Sequence, residues 1–195
     1  MRRAIFIERD GILNHYRIEN NYPIPPTRPA ELRIQTDAIP LIHSLKSSGF
    51  TLIVITNQPG ISRGYMFWRD LDLIHKRLKE EFLLDDIFVC PHDENDGCNC
   101  RKPKLGLFIE AVYKWQIKLS ESIIISDKWQ DAQVARMLCC LSILINSPWI
   151  ANCRHDLLVP NLASAVEKIN QIKANNFFCN RIENSKHIRF VIGDA

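Results

Sequence analysis

Continuous apolar runs alternate with amphipathic stretches along most of this chain. The runs AIFIE (4–8), TLIVIT (51–56), IFVC (87–90), SIIIS (122–126) and LSILI (141–145) show no apolar–polar alternation. Strands of that kind are buried on both faces, as in a parallel sheet covered by helices. Between them the period changes. TDAIPLIHSLKSSG carries Ile39, Ile42 and Leu45 on one stripe and stops at Gly49, while RDLDLIHKRLKEEFLL places Leu71, Ile74 and Leu78 three and four residues apart. KLGLFIEAVYKWQI, KWQDAQVARMLC and NLASAVEKINQIKA continue the helical pattern. The βαβαβαβα order predicts a doubly wound α/β parallel sheet with right-handed crossovers over residues 1–174. Ligands of such sheets bind beyond the C-terminal ends of the strands.

Two segments fall outside that rhythm. Residues 14–34, NHYRIENNYPIPPTRPAELRI, hold four prolines and little periodicity, which predicts a loop over the end of the first strand. Residues 175–195 follow the last helix, and HIRFVI within them reads as an extra edge strand or a segment for a protein partner. No repeats or low-complexity tracts occur.

Composition narrows the function. At 195 residues the chain is long enough for one domain with a full core. The formal charge of +3 comes from scattered basic residues, with no stripe or aromatic platform that would favour nucleic acid. The start has no signal-peptide apolar run, and no apolar stretch is long enough to span a membrane, so a soluble cytoplasmic protein is expected. Of seven cysteines, three crowd between residues 90 and 100, which suggests metal binding and not a disulfide framework. Cys139 and Cys140 lie in an apolar run and read as core filler.

The chemistry gathers at strand ends. Glu8 and Asp10 follow the first strand, Thr56, Asn57 and Gln58 the second, and Asp127, Lys128 and Asp131 the fourth, while Arg101 and Lys102 follow the cysteine cluster. Taken singly, Asp10-Gly11 is a turn and Thr56-Asn57 or Asp127 a helix cap. Together, each at the end of a different strand, they form a set suited to Mg²⁺-assisted phosphoryl chemistry. The metal and a lysine would neutralise phosphate, and a carboxylate would attack it. Cys90, His92, Cys98 and Cys100 form C-x-H-x₅-C-x-C, three thiolates and an imidazole suited to a closed, structural zinc site. A zinc ribbon for nucleic acid is the rival reading. Arg101 and Lys102 follow at once, however, so the zinc loop is expected to pin those cations over the site.

FIERDGILN, VITNQPGISRG, CPHDENDGCNCRKPKLG and IIISDKWQDAQVA resemble the four signature segments of the haloacid dehalogenase superfamily. More narrowly they are similar to D-glycero-D-manno-heptose 1,7-bisphosphate phosphatases and histidinol-phosphate phosphatases. The resemblance implies a nucleophile at Glu8, an acid/base at Asp10, and Thr56 and Asn57 holding the phosphoryl group. It further implies Lys102 balancing charge, Arg101 recognising substrate and Lys128 near the sugar or phosphate; Gln58, by its own chemistry, is an amide suited to holding a phosphate or carbonyl. Mg²⁺ would be held by Glu8, Asp127 and the Asp10 carbonyl, zinc by the Cys/His loop, and the ligand would be a small phosphorylated sugar.

Three positions depart from that family's pattern. Glu8 stands for an aspartate, Ile12 for a threonine and Ser126 for a glycine. Glutamate keeps the charge but reaches roughly 1.5 Å further, about one C–C bond. A misplacement of ~1 Å can cost on the order of a hundredfold in rate. Ile12 removes a supporting hydroxyl, and Ser126 is expected to press on the backbone beside Asp127. Two readings follow: an Mg²⁺-dependent phosphatase with glutamate as nucleophile, or a catalytically impaired relative that binds a phosphorylated sugar or a protein partner.

Overall fold

The computed structural model describes residues 1–174; the expected tail segment HIRFVI lies outside them. Six strands form one parallel sheet: β1 (Ala4–Ile7), β4 (Thr51–Asn57), β5 (Asp86–Cys90), β6 (Ile123–Ser126), β7 (Leu141–Ile145) and β8 (Leu157–Val159). Their order across the sheet is β5-β4-β1-β6-β7-β8. The chain builds outward from β1 through β4 to β5, then returns to β6 on the other side of β1. The winding direction therefore reverses between β1 and β6, where open α/β sheets leave a crevice at the strand ends. Register pairs Phe6 with Ile53 on one side and with Ile124 on the other.

The strand side chains alternate between two cores. Ile5, Ile7, Leu52, Val54, Ile123 and Ile125 face one layer, made by α1 (Ala38–Ser47), α2 (Trp68–Glu81) and α5 (Leu162–Ala174). Ala4, Phe6, Ile53, Ile55 and Ile124 face the other, made by α3 (Gly106–Trp115) and α4 (Trp129–Leu138). Both sides of each central strand are thus covered, which is why the runs are uninterrupted in the sequence. Ile42 and Leu45 of α1, and Leu71, Ile74 and Leu78 of α2, are fully buried, as the stripes predict. No helix among the described residues is long and apolar enough to cross a membrane.

Two differences from the sequence expectation stand out. The 14–34 segment is not wholly loop: β2 (Arg17–Glu19) and β3 (Tyr22–Ile24) form a small antiparallel hairpin. Asn20 and Asn21 make its two-residue turn at φ 49° and 63°, a left-handed conformation that asparagine tolerates and that matches strand twist. The second difference is β8. It has three residues, too short for a hydrophobic run to mark, and takes its place by pairing Ile143 with Leu157 and Ile145 with Val159.

Phe108 is fully buried on α3, its ring edge-on to Phe6 with centroids 5.1 Å apart. Phe108→Ala is expected to cost about 3–5 kcal/mol of stability in a denaturant titration. A loss below ~1 kcal/mol would contradict this packing.

Candidate active site at the strand ends

β1, β4 and β6 deliver their polar ends to one place. Glu8, in the residue after β1, is 4 % exposed and both its oxygens are engaged. Oε1 accepts from the Arg9 backbone N–H at 2.8 Å and the Thr56 hydroxyl at 2.9 Å. Oε2 accepts from Lys102 Nζ at 2.6 Å. Burial raises the Glu8 pKa, but Lys102 and Lys128 outweigh it and bring the group to about 2. Glu8 is therefore an anion at neutral pH.

Lys102 is the hub. Its ammonium donates to Glu8, to the Ile55 carbonyl at 2.9 Å, and to Asp131 Oδ1 and Oδ2 at 2.8 and 2.9 Å. Burial disfavours its charge, yet Asp131 and Glu8 hold its pKa above the ordinary lysine value. Asp131, on the first turn of α4, is 1 % exposed and also accepts from Ser126 Oγ at 2.7 Å. Ser126 accepts in turn from the Lys128 N–H at 3.1 Å. The hydroxyl at position 126 thus joins a network, where pressure on the backbone was the expectation. Sequence reasoning named Asp131 among the strand-end carboxylates but did not pair it with Lys102. Its signal was a carboxylate four residues after Asp127, at a helix start facing a buried lysine.

Asp10 is held from four directions. Oδ1 accepts from Arg9 Nε at 3.0 Å, Arg9 Nη2 at 2.9 Å and Asn14 Nδ2 at 2.9 Å, and Oδ2 accepts from Gln58 Nε2 at 2.7 Å. Arg9 is completely buried, and its remaining nitrogen, Nη1, lies 3.2 Å from His75 Nε2. A guanidinium only donates, so His75 Nε2 accepts and its proton sits on Nδ1. Burial, with help from the Arg9 charge, pushes the His75 pKa down to about 3. Neither Arg9 nor His75 was assigned from sequence, because their pairing spans 66 residues and leaves no local pattern.

Asp127 reaches the same place from β6. Gly11, at φ +96°, passes so close that a Cβ there would collide with the Asp127 carboxylate. This explains the glycine after Asp10: the turn leaving β1 must pass directly under the end of β6. Asp127 Oδ1 is buried without a hydrogen bond and faces Lys128 Nζ at 3.2 Å, while Tyr16 stands 3.5 Å from Oδ2 and accepts from Trp149 Nε1. Burial and the Glu8 charge raise the Asp127 pKa against the pull of Lys128. Lys128 Nζ also donates to the Asp10 carbonyl at 2.8 Å and lies 3.7 Å from Glu8 Oε2. Two carboxylates and one carbonyl therefore converge on a single cationic position. An all-oxygen set in which one carboxylate oxygen has no hydrogen bond is the chemistry that suits Mg²⁺.

The remaining sequence candidates sit nearby with other partners. The Asn57 amide bridges the backbone of Lys102, accepting from its N–H at 3.1 Å and donating to its carbonyl at 3.3 Å. Gln58 spans Thr56 and Asp10. Arg101 bonds the His92 carbonyl at 3.2 Å and Glu94 at 3.1 Å. Ile12 is buried in the core.

Cys90, His92, Cys98 and Cys100 gather at the end of β5, all four ligand atoms within 4.8 Å of one another. Cys90 Sγ lies 3.7 Å from both His92 Nδ1 and Cys98 Sγ and 3.1 Å from Cys100 Sγ, which is 3.2 Å from His92 Nδ1. Tetrahedral zinc with ~2.3 Å bonds to sulfur sets such edges near ~3.7 Å, so the donors and their spacing fit that ion. Burial raises the Cys90 and Cys100 thiols, whereas at Cys98 the Arg101 and Cys100 N–H groups overcome burial and lower the thiol to about 7.

Proteins of similar sequence and fold are heptose bisphosphate phosphatases. A probable D-glycero-D-manno-heptose-1,7-bisphosphate 7-phosphatase of Thermoplasma volcanium is 35% identical over 142 residues, 70% of this chain and 93% of that protein. A D-glycero-beta-D-manno-heptose-1,7-bisphosphate 7-phosphatase of Helicobacter pylori is 36% identical over 135 residues, 66% of this chain and 75% of that protein. Among solved structures, a D,D-heptose 1,7-bisphosphate phosphatase from B. bronchiseptica, in complex with magnesium and phosphate, aligns at TM-score 0.75 and 25% identity. It covers 87% of this chain and 98% of its own. No protein-family model matches the chain.

The neutral, half-buried His75 makes stability depend on pH. Its folded pKa, about 3, lies below the ordinary 6.5, so the stability it contributes is complete above pH ~6.5 and lost as pH falls toward 3. Relative to His75→Gln, the native protein should lose about 1.4 kcal/mol per pH unit between roughly pH 6 and 4. Urea titrations across that range check the slope; a constant gap between the two proteins would mean that His75 is protonated in the fold.

Proposed function

Because this chain belongs to the D-glycero-D-manno-heptose 1,7-bisphosphate phosphatase family of haloacid dehalogenase type, we propose that it acts on a phosphorylated sugar of the heptose bisphosphate class. The observation that carries the reading is the convergence of Lys102 with Glu8, Asp10, Thr56 and Asp127 at the ends of three adjacent parallel strands. The magnesium and phosphate of the B. bronchiseptica phosphatase support it.

In this reading a Glu8 oxygen bonds to phosphorus as the bond to the sugar oxygen breaks. Asp10 passes a proton to that oxygen, then takes one from the water that releases phosphate from Glu8. Thr56, Asn57 and Lys102 hold the phosphoryl oxygens, and Gln58 keeps Thr56 and Asp10 in line. Arg101 and Lys128 are the sugar-side cations. Mg²⁺ held by Glu8, Asp127 and the Asp10 carbonyl would neutralise phosphoryl charge. Zinc in the Cys90, His92, Cys98 and Cys100 set would fix the loop that leads into Arg101 and Lys102.

A specific observation favours a second reading, in which the sugar phosphate binds and turnover is slow or absent. Glu8 carries one more methylene than aspartate, and both of its oxygens are held by Lys102, Thr56 and the Arg9 N–H. Attack requires one oxygen to leave that arrangement and align with phosphorus. A protein partner engaged through residues 175–195 belongs to this second reading.

Phosphate release from heptose 1,7-bisphosphate and a panel of sugar phosphates, with Mg²⁺, tests both. Glu8→Asp is expected to turn over on the order of a hundredfold faster than the native protein, and Glu8→Gln to be inactive. Native turnover equal to that of Glu8→Asp would establish glutamate as a competent nucleophile. Silence from both proteins, with sugar phosphate still bound, would leave the second reading.

A further inference from the structure

The pocket that suits a divalent cation already contains a cation of the chain. Lys128 Nζ lies 2.8 Å from the Asp10 carbonyl, 3.2 Å from Asp127 Oδ1 and 3.7 Å from Glu8 Oε2. These are the three oxygen ligands assigned above to Mg²⁺. We propose that the Lys128 ammonium is the resident cation of this pocket and that a divalent ion binds only by displacing it. The inference rests on the reading of these three oxygens as a metal site.

Three features make this placement a property of the chain. Lys128 follows Asp127 directly, so its side chain needs only to fold back over the end of β6. Its backbone N–H is anchored by Ser126 Oγ, which is itself tied to Asp131, so the base of the side chain is fixed from beneath. The charge of the centre also calls for it. Glu8, Asp10, Asp127 and Asp131 face Arg9, Lys102 and Lys128, one negative charge in excess. Without Lys128 in the pocket, Asp127 would face Glu8 with no cation between them. The two cations cannot share a position whose ligands lie within about 4 Å, because they repel at that distance. The lysine therefore acts as a built-in competitor. It holds the anionic ligands in place and sets the concentration of divalent ion needed to occupy the site.

The arithmetic of competition gives the size of the effect. If the ammonium leaves the pocket in fewer than about a tenth of molecules, apparent ion affinity is at least about tenfold weaker than the pocket alone would give. Mn²⁺ titrations of the full chain, followed by electron paramagnetic resonance and calorimetry, would compare native protein, Lys128→Met and Asp127→Asn. Asp127→Asn identifies the binding that belongs to this pocket. Lys128→Met is expected to bind Mn²⁺ there at least about tenfold more tightly than the native protein. Equal or weaker binding overturns the proposal while leaving the metal site standing. No pocket binding in either protein overturns the metal reading as well. A second measurement on the native protein needs no substitution: the ¹⁵Nζ signal of Lys128. It should be protected from exchange without divalent ions and lose that protection as Mg²⁺ is added. A signal unchanged by saturating Mg²⁺ overturns the displacement.

Discussion

The Lys102 ammonium is the contact on which the rest of the site depends. It reaches Glu8 after β1, the Ile55 carbonyl inside β4 and Asp131 on α4, tying together three elements that are far apart in sequence. At 4 % exposure it has no water to fall back on. A buried charge survives only if paired and hydrogen-bonded, and here two carboxylates and a carbonyl supply the partners. The same contact fixes where the Glu8 carboxylate points. Position 8 is therefore set by a lysine 94 residues away as much as by its own strand.

Around that centre the other charged groups fall into two flanks. On one, Arg9 runs from Asp10 to His75, and Asn14 and Gln58 complete the hold on the Asp10 carboxylate. On the other, Lys128 bridges Asp127, Glu8 and the Asp10 carbonyl. Each carboxylate thus has a cation beside it, Glu8 and Asp131 sharing Lys102, and the carboxylates stay close without repelling one another apart. The arrangement also sharpens the consequence of glutamate at position 8. Its additional reach is taken up by contacts with Lys102 and Thr56, and leaving those contacts costs energy in any attack on phosphorus.

Much of this was legible in the sequence. The central strands are long, apolar runs because both faces are covered, and the helical stripes named the residues that bury: Ile42, Leu45, Leu71, Ile74 and Leu78. The rule that ligands gather at strand ends picked out Glu8, Asp10, Thr56, Lys102 and Asp127 before any contact was known. β8 escaped because three residues carry no periodicity, and the hairpin because four prolines masked the Asn20-Asn21 turn. The contact that fixes Asn57, whose amide bridges the Lys102 backbone 45 residues away, left no mark in the sequence. The partners of Asp131, and Arg9 and His75 altogether, were invisible for the same reason. A residue whose role is to neutralise or orient another is defined by its partner in space, and that partner leaves no trace at a fixed spacing.

The central claim, that Lys102 and Asp131 form one buried unit on which the fold of the site rests, is tested most directly by a double-mutant cycle in stability. Lys102→Met leaves two buried carboxylates without their cation and should cost about 3–5 kcal/mol. Adding Asp131→Leu removes one of those stranded charges, so the double variant should be more stable than Lys102→Met alone. If the two losses simply add, the residues act independently and the account of a shared buried centre is wrong.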